Sequence, residues 1–255
     1  MGDIHKIGTS VRRLPGQSLR EEIDRRFDNG VTLPLFCVGA GLAFLWFEIS
    51  HVYFKLRPSV WLGVVVFAIC VGIAAVMIYK TISRIRNLRR GEQGELMVAQ
   101  AIERDLLPNG YVVFHDIQLK DGKRKFNIDH LLVGPQGVFV IETKNYAKPK
   151  RGEVKVSYDG WRVCWNGKLH RDDEARQAVA TALAAKDYIY NETGLKVFVK
   201  PVLCAVGWYA VSNHLFRHPV LLLMEKQLGS LIPKVRFQSP LSEQDRNLII
   251  AKLST

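Results

Sequence analysis

The chain has 255 residues, enough for one domain of ordinary size plus an additional element. Its 36 Lys and Arg against 24 Asp and Glu leave a net charge of +12, which favours an anionic partner, nucleic acid or lipid headgroup, without choosing between them. Four cysteines stand apart with no C-x-x-C, which excludes an evident disulfide framework or zinc site and makes a reducing compartment the default.

Residues 1–30 are polar, and Ser18 with Glu21 resembles a capping box ahead of a short helix ending at Phe27. Two uncharged apolar runs follow, residues 31–47 and 58–79. The second is long enough to span a hydrocarbon core of roughly 30 Å, and the first spans it if residues 48–54 sit at the interface. Trp46, Tyr53, Trp61 and Tyr79 lie at the run ends, where amphipathic rings settle. Two buried helices of a soluble core are the bland alternative; two such runs around one short loop favour a transmembrane hairpin over residues 31–79. The runs begin too late for a secretory signal. Arg20, Arg25 and Arg26 precede the first run, and Lys80, Arg84, Arg86, Arg89 and Arg90 follow the second, against Lys55 and Arg57 between them. Positive flanks stay inside, so both termini are expected in the cytoplasm of a protein that crosses the inner, cytoplasmic membrane twice. Residues 80–90 read as a basic juxtamembrane linker that meets anionic lipid. Ala68, Gly72 and Ala75 offer a close-packing face, usable within the hairpin or between protomers of a homo-oligomer.

Residues 91–255 form the second part. A helix is expected over residues 94–107, with Glu95, Val98, Ala99, Ile102 and Leu106 on one face. Glu95 therefore points inward, unless it is only a first-turn acid stabilised by the helix dipole. Strands are expected over residues 111–119, 153–157, 161–165, 196–206 and 220–224, and helices over residues 173–190 and 242–253. Between them lies a hairpin, residues 127–144, folded about the turn Gly134-Pro135-Gln136-Gly137. Alternation puts Val140, Glu142 and Lys144 on one face of its second strand, and the turn brings Asp129 beside Glu142. Two carboxylates and an ammonium in apolar β-structure are costly to bury unless they pair or bind a cation. A structural ion pair is the bland reading, but two acids and one base leave a charge unbalanced. His115 and His130 have no carboxylate at ligand spacing and read as packing residues. The fold class is α/β, a mixed sheet flanked by helices.

Asp129 with Glu142-Thr143-Lys144 resembles the PD-(D/E)xK nuclease core. The order of Gly91-Glu92-Gln93-Gly94-Glu95, Ile128-Asp129-His130, residues 137–145 and Gln177-Ala178 is similar to the nuclease-related domain (NERD) family. The resemblance implies metal-dependent hydrolysis of phosphodiester bonds, with Asp129, Glu142, Lys144, Glu95 and Gln177 at the catalytic site. Asp129 and Glu142 are the natural metal ligands, with the Thr143 carbonyl and Glu95, directly or through water, completing the shell. Hard oxygen donors favour Mg2+ or Mn2+. Lys144 either activates water or stabilises charge on the phosphoryl group. Lys120, Lys123, Arg124 and Lys125 before Asp129, and Tyr146, Lys148, Lys150 and Arg151 after Lys144, are expected to border one cleft and hold a nucleic-acid backbone, DNA rather than RNA. The expectation is a membrane-anchored nuclease acting on the cytoplasmic side. The alternative is a membrane-tethered module of the same fold that binds nucleic acid or recruits a partner without turnover.

Overall fold

The computed structural model describes residues 4–6, 13–53, 60–121, 124–169, 173–211, 217–238 and 240–254. They divide into two compact units, residues 18–89, and residues 1–17 with 90–255.

The first unit holds most of the two helices α1 (Gln17–Tyr53) and α2 (Val60–Asp105), both long and apolar enough to cross a membrane by length and composition. Close approach falls on Gly30, Gly41 and Gly63: a Cβ on Gly30 would run into the Thr81 side chain, one on Gly41 would lie 3.0 Å from Cys70, and one on Gly63 3.1 Å from Leu45. Ala68, Gly72 and Ala75 are exposed instead, and space beside Gly72 is open, so this stripe takes no part in packing within the hairpin. The stretch read as a linker, residues 80–90, is helical, and α2 runs unbroken to Asp105. No proline interrupts residues 79–105, and the Arg, Leu and Glu found there are strong helix formers. Pro108 and Gly110, at φ +78°, end the helical stretch through a short 3-10 turn.

Among the described residues of the second unit, ten strands form two sheets. The larger runs β1 (Ile4–Lys6), β2 (Val112–Asp121), β3 (Arg124–Gly134), β4 (Gly137–Lys144), β8 (Val199–Ala205), β10 (Leu221–Leu223). Pairing is antiparallel from β1 to β4 and parallel from β4 through β8 to β10, the expected mixed sheet. The smaller sheet comprises β5 (Lys155–Tyr158), β6 (Val163–Trp165), β7 (Lys168–Leu169) and β9 (Tyr209–Val211). Helices α3 (Glu174–Thr193), α4 (Leu228–Leu231) and α5 (Glu243–Leu253) complete the unit, α3 and α5 opening on the N-caps Asp173 and Ser242.

The period-two pattern of the central strands divides the core. Leu131, Val133, Val138 and Val140 pack with Ala185, Tyr188 and Ile189 of α3 and with Ile249 of α5. Leu132, Phe139 and Ile141 pack on the other face with Val98 and Ile102 of α2. Glu142 and Lys144 thus share the α3 face, and Thr143 the α2 face. Gly94 allows α2 to settle on the end of β4, because a Cβ there would lie 2.7 Å from the Asn145 Cβ. Asn145 fastens that contact by donating to the Arg90 carbonyl at 2.8 Å.

The N-terminal segment, read only as polar, belongs to this unit. Its residues 4–6 extend the sheet beside β2, and Arg13 donates to the fully buried Asp116 through Nε at 2.7 Å. Losing a hydrogen bond to a buried carboxylate costs about 2 kcal/mol. Arg13→Ala is therefore expected to lower the melting temperature of this unit by about 4–8 °C in near-ultraviolet circular dichroism of the full chain; an unchanged melting curve would show that the segment is merely laid on the surface.

Candidate active site

The site forms where the sheet changes from antiparallel to parallel. The β3–β4 ladder stops at His130↔Ile141, one step before Asp129 and Glu142, while β4 continues beside β8 to Lys144↔Ala205. Freed from the antiparallel ladder, the Thr143 N–H donates to Asp129 Oδ2 at 2.7 Å. That bond holds the Asp129 carboxylate against β4, next to Glu142 on the same face.

Glu142 and Lys144 then meet α3. Lys144 Nζ donates to Glu142 Oε1 and to Gln177 Oε1, both at 3.0 Å, and Gln177 Nε2 donates to Glu142 Oε1 at 2.8 Å. This triangle orients Glu142 and leaves its other oxygen, Oε2, buried and without a hydrogen bond. Gln177 joins the site because it sits one turn into α3, within reach of β4. On the opposite face, Glu95 stands in line with Val98, Ala99 and Ile102 as the helical spacing predicted. It accepts from the Gly16 backbone N–H, and its Oε2 is likewise buried and unpartnered.

Exposures of 5, 8 and 4 % for Glu95, Asp129 and Glu142 set the electrostatics. Burial, then the charges of Asp116, Glu142 and Glu92, push the Glu95 carboxyl up to about 7. Burial and the neighbouring Glu142 and Glu95 hold Asp129 well above the usual carboxylate range. Burial pulls Lys144 down, but Glu142 beside it and the nearby Asp129 and Glu174 outweigh that, so its ammonium ends above its ordinary value.

Three residues of this neighbourhood escaped the sequence reading. Asp116 stands opposite Asp129, between the pairs His115↔His130 and Ile117↔Ile128, in a left-handed conformation at φ +50°. An aspartate inside the apolar run of residues 111–119 was the available signal. Arg13, its partner, had none. Glu174 is buried at the start of α3, accepting from Tyr146 Oη and Trp165 Nε1, each at 3.1 Å. Tyr146 is accordingly half-buried, its ring edge-on to Trp165. His115 and His130 pack edge-on and share a hydrogen bond between their Nδ1 atoms at 2.8 Å. Burial pushes His115 down to about 4 and, with the neighbouring His115, holds His130 well below its ordinary value, so the pair is neutral.

The basic residues do not line a single rim. Lys120 and Lys125 are paired and exposed near the far end of the β2–β3 hairpin. Four residues of strand separate Lys125 from Asp129, about 13 Å. Lys123 and the Arg124 side chain lie outside the described residues. Lys148, Lys150 and Arg151 are exposed, and Lys148 reaches the Gly207 turn at the same sheet end as Lys144.

Among the described residues no three His, Cys, Asp or Glu side chains converge as a metal cluster. Magnesium, however, is held by one or two carboxylates with waters in its other positions. Two orphaned buried carboxylate oxygens, on Glu142 and Glu95, and the mutual repulsion around Asp129 fit the donor chemistry of such a cation.

No curated protein is significantly similar to the chain in sequence. Among solved structures, Can2 from Sulfobacillus thermosulfidooxidans, in complex with cyclic tetra-adenylate, is 11% identical with a TM-score of 0.29. That match covers 67% of this chain and 38% of Can2. Residues 90–206 match the model of the NERD family. Residues 90–206, which carry Asp129, Glu142 and Lys144, therefore have the sequence of a nuclease-related domain.

Proposed function

We propose that the protein is a membrane-anchored, metal-dependent nuclease that hydrolyses phosphodiester bonds of DNA on the cytoplasmic side. The observation that carries this reading is the pairing of Asp129 with Glu142 at one strand end, with a buried Glu142 oxygen left open although Lys144 holds the other, and a second buried carboxylate oxygen open on Glu95. A structural ion pair alone has no use for the surplus acids.

Asp129 and Glu142 would hold Mg2+ or Mn2+, with the Thr143 carbonyl and Glu95 as the further donors. Bound there, the ion would supply an activated water and neutralise the non-bridging phosphoryl oxygens. Gln177 fixes the Glu142 carboxylate and the Lys144 ammonium together. Lys144, whose ammonium is held above its ordinary value by Glu142 and Asp129 against the opposing effect of burial, would stabilise negative charge developing on the phosphoryl group. Lys148, Lys150 and Arg151 hold the nucleic-acid backbone near the acids, and Lys120 and Lys125 further along the hairpin. The two apolar helices anchor the domain, and the basic flanks place it in the cytoplasm.

Full-length protein is expected to cleave labelled DNA with magnesium and not in its absence, and Asp129→Ala or Glu142→Ala is expected to abolish cleavage while the fold survives. Removing either acid relieves repulsion but strips the Thr143 N–H or the Lys144 ammonium of its acceptor, so near-ultraviolet circular dichroism must show each variant folded before its activity is read. DNA that is bound but never cut, with any divalent ion, would establish the non-catalytic alternative.

Glu95 adds a pH dependence. Between about 4.5, its ordinary value, and about 7 the folded protein keeps a proton that the unfolded chain releases. Stability of the metal-free protein therefore falls as pH rises through that window, by about 3 kcal/mol when complete. Glu95→Gln should flatten this fall in denaturant titrations across pH and raise the magnesium midpoint of cleavage. A slope equal to that of wild type would mean that Glu95 titrates normally and stands apart from the metal.

Anchoring has its own test. Reporters fused at Met1 and Thr255 should both give cytoplasmic signals, and a tag beside Lys55 should be reachable from the opposite side. The reverse pattern would overturn the orientation.

A further inference from the structure

At the opposite end of the parallel strands lies a second concave region that the reading above does not use. The register Val138↔Val199 and Lys144↔Ala205 places Phe198 to Lys200 six residues from Lys144, about 20 Å along the strands. A cavity of about 560 Å³ opens there between the start of β8 and residues 234–238. It adjoins a second of about 410 Å³ toward α3, and Phe198 and Lys200 line both. Volumes of this order suit a small ligand.

Two features define its chemistry. The first is uncompensated positive charge. Lys200 is only 9 % exposed, and its ammonium donates to one neutral acceptor, the His218 carbonyl, at 2.8 Å. Lys234 and Arg236 line the larger cavity, Lys186 and Arg217 the smaller. Among the described residues none of these five cations has a carboxylate partner, and no carboxylate lines either cavity. A buried ammonium facing only a carbonyl is poorly compensated, and burial pulls Lys200 below the ordinary lysine value. An anion would satisfy its remaining donors.

The second feature is aromatic. Phe198 is 62 % exposed, although its chain neighbours Val197 and Val199 are buried. It is held edge-on by Phe237 at 5.8 Å, and Phe237 in turn packs edge-on against the buried Phe139 at 5.2 Å. Gly137, at φ +145°, leaves room for Phe237, because a Cβ there would come within 2.9 Å of its ring. The exposed ring is thus fixed on a rigid base, in the way a stacking platform requires.

We propose that this region is a nucleotide-binding site, separate from the acidic site, in which Lys200, Lys234 and Arg236 take the phosphate and Phe198 stacks on the base. Phosphate alone would use the cations but leave the aromatic platform idle, and an uncharged aromatic ligand would leave the cations unsatisfied. A nucleotide uses both.

The test is calorimetric titration of the full chain, in detergent and metal-free buffer, with AMP, adenosine and inorganic phosphate. AMP is expected to bind at least about tenfold more tightly than either of its parts. A base stacked on an aromatic ring contributes about 1–3 kcal/mol, so Phe198→Ala should weaken AMP at least fivefold and leave phosphate unchanged. The double substitution Lys234→Ala with Arg236→Ala should weaken AMP and phosphate together. Near-ultraviolet circular dichroism checks that each variant is folded. AMP that binds no better than phosphate, or that binds the folded Phe198→Ala chain as well as wild type, overturns the proposal; so does an absence of AMP binding. Because no metal is present and the acids are untouched, this result stands whether or not the acidic site cleaves DNA.

Discussion

The hydrogen bond from the Thr143 N–H to Asp129 sets the geometry on which the acidic site depends. A buried backbone donor must find an acceptor, and here the antiparallel ladder that would supply one ends at His130↔Ile141. A carboxylate fills the gap. The same bond that closes the sheet's account of donors therefore pins one acid beside another. Burying carboxylates in this way is unfavourable by itself, and the surrounding structure is organised to offset it. Lys144 serves Glu142, Arg13 serves Asp116, and the Gly16 N–H serves Glu95.

These compensations are incomplete. Glu95, Asp116, Asp129 and Glu142 interact around Lys144 and Arg13, so negative charge exceeds positive. The excess appears where it is most readily relieved, as raised proton affinity of Glu95 and Asp129. A stable protein fold has no need to hold such an excess, and simple hydrophobic replacements would be easier to bury. Under the proposed function, these acids would exchange their protons for a cation.

Much of this was legible in the sequence, because it rests on local periodicity. Alternation placed Glu142 and Lys144 on one face, the Gly134–Gly137 turn set Asp129 opposite, and helical spacing turned Glu95 inward. The parts that were not legible depend on distant partners. The three residues of β1 carry no strand signal of their own and become a strand by pairing with β2. Arg13 looks like any surface arginine until Asp116 lies beside it. Tyr146 sat among lysines in the sequence, yet Glu174 and Trp165 claim it. The small residues of α2 formed a plausible packing stripe, but the helix pair approaches closely at Gly30 and Gly41 of α1 and at Gly63 of α2.

The position of Arg13 and Gly16 also changes what should be regarded as the working unit. The family match spans residues 90–206, while the compact unit includes residues 1–17 and continues to residue 255. Between the N-terminal segment and the rest lie both apolar helices. A fragment cut at residue 90 would lose the guanidinium that pairs with Asp116 and the N–H that reaches Glu95. Asp116 exerts the largest charge effect on Glu95 and would then act with less to balance it, raising the proton affinity of Glu95 further. A carboxyl group that holds its proton more tightly is a poorer ligand for a hard cation, which must displace that proton to bind. The segment before the first apolar helix thus acts on the electrostatics of the acidic site, and the apolar hairpin is an insertion within the domain, not a tether in front of it.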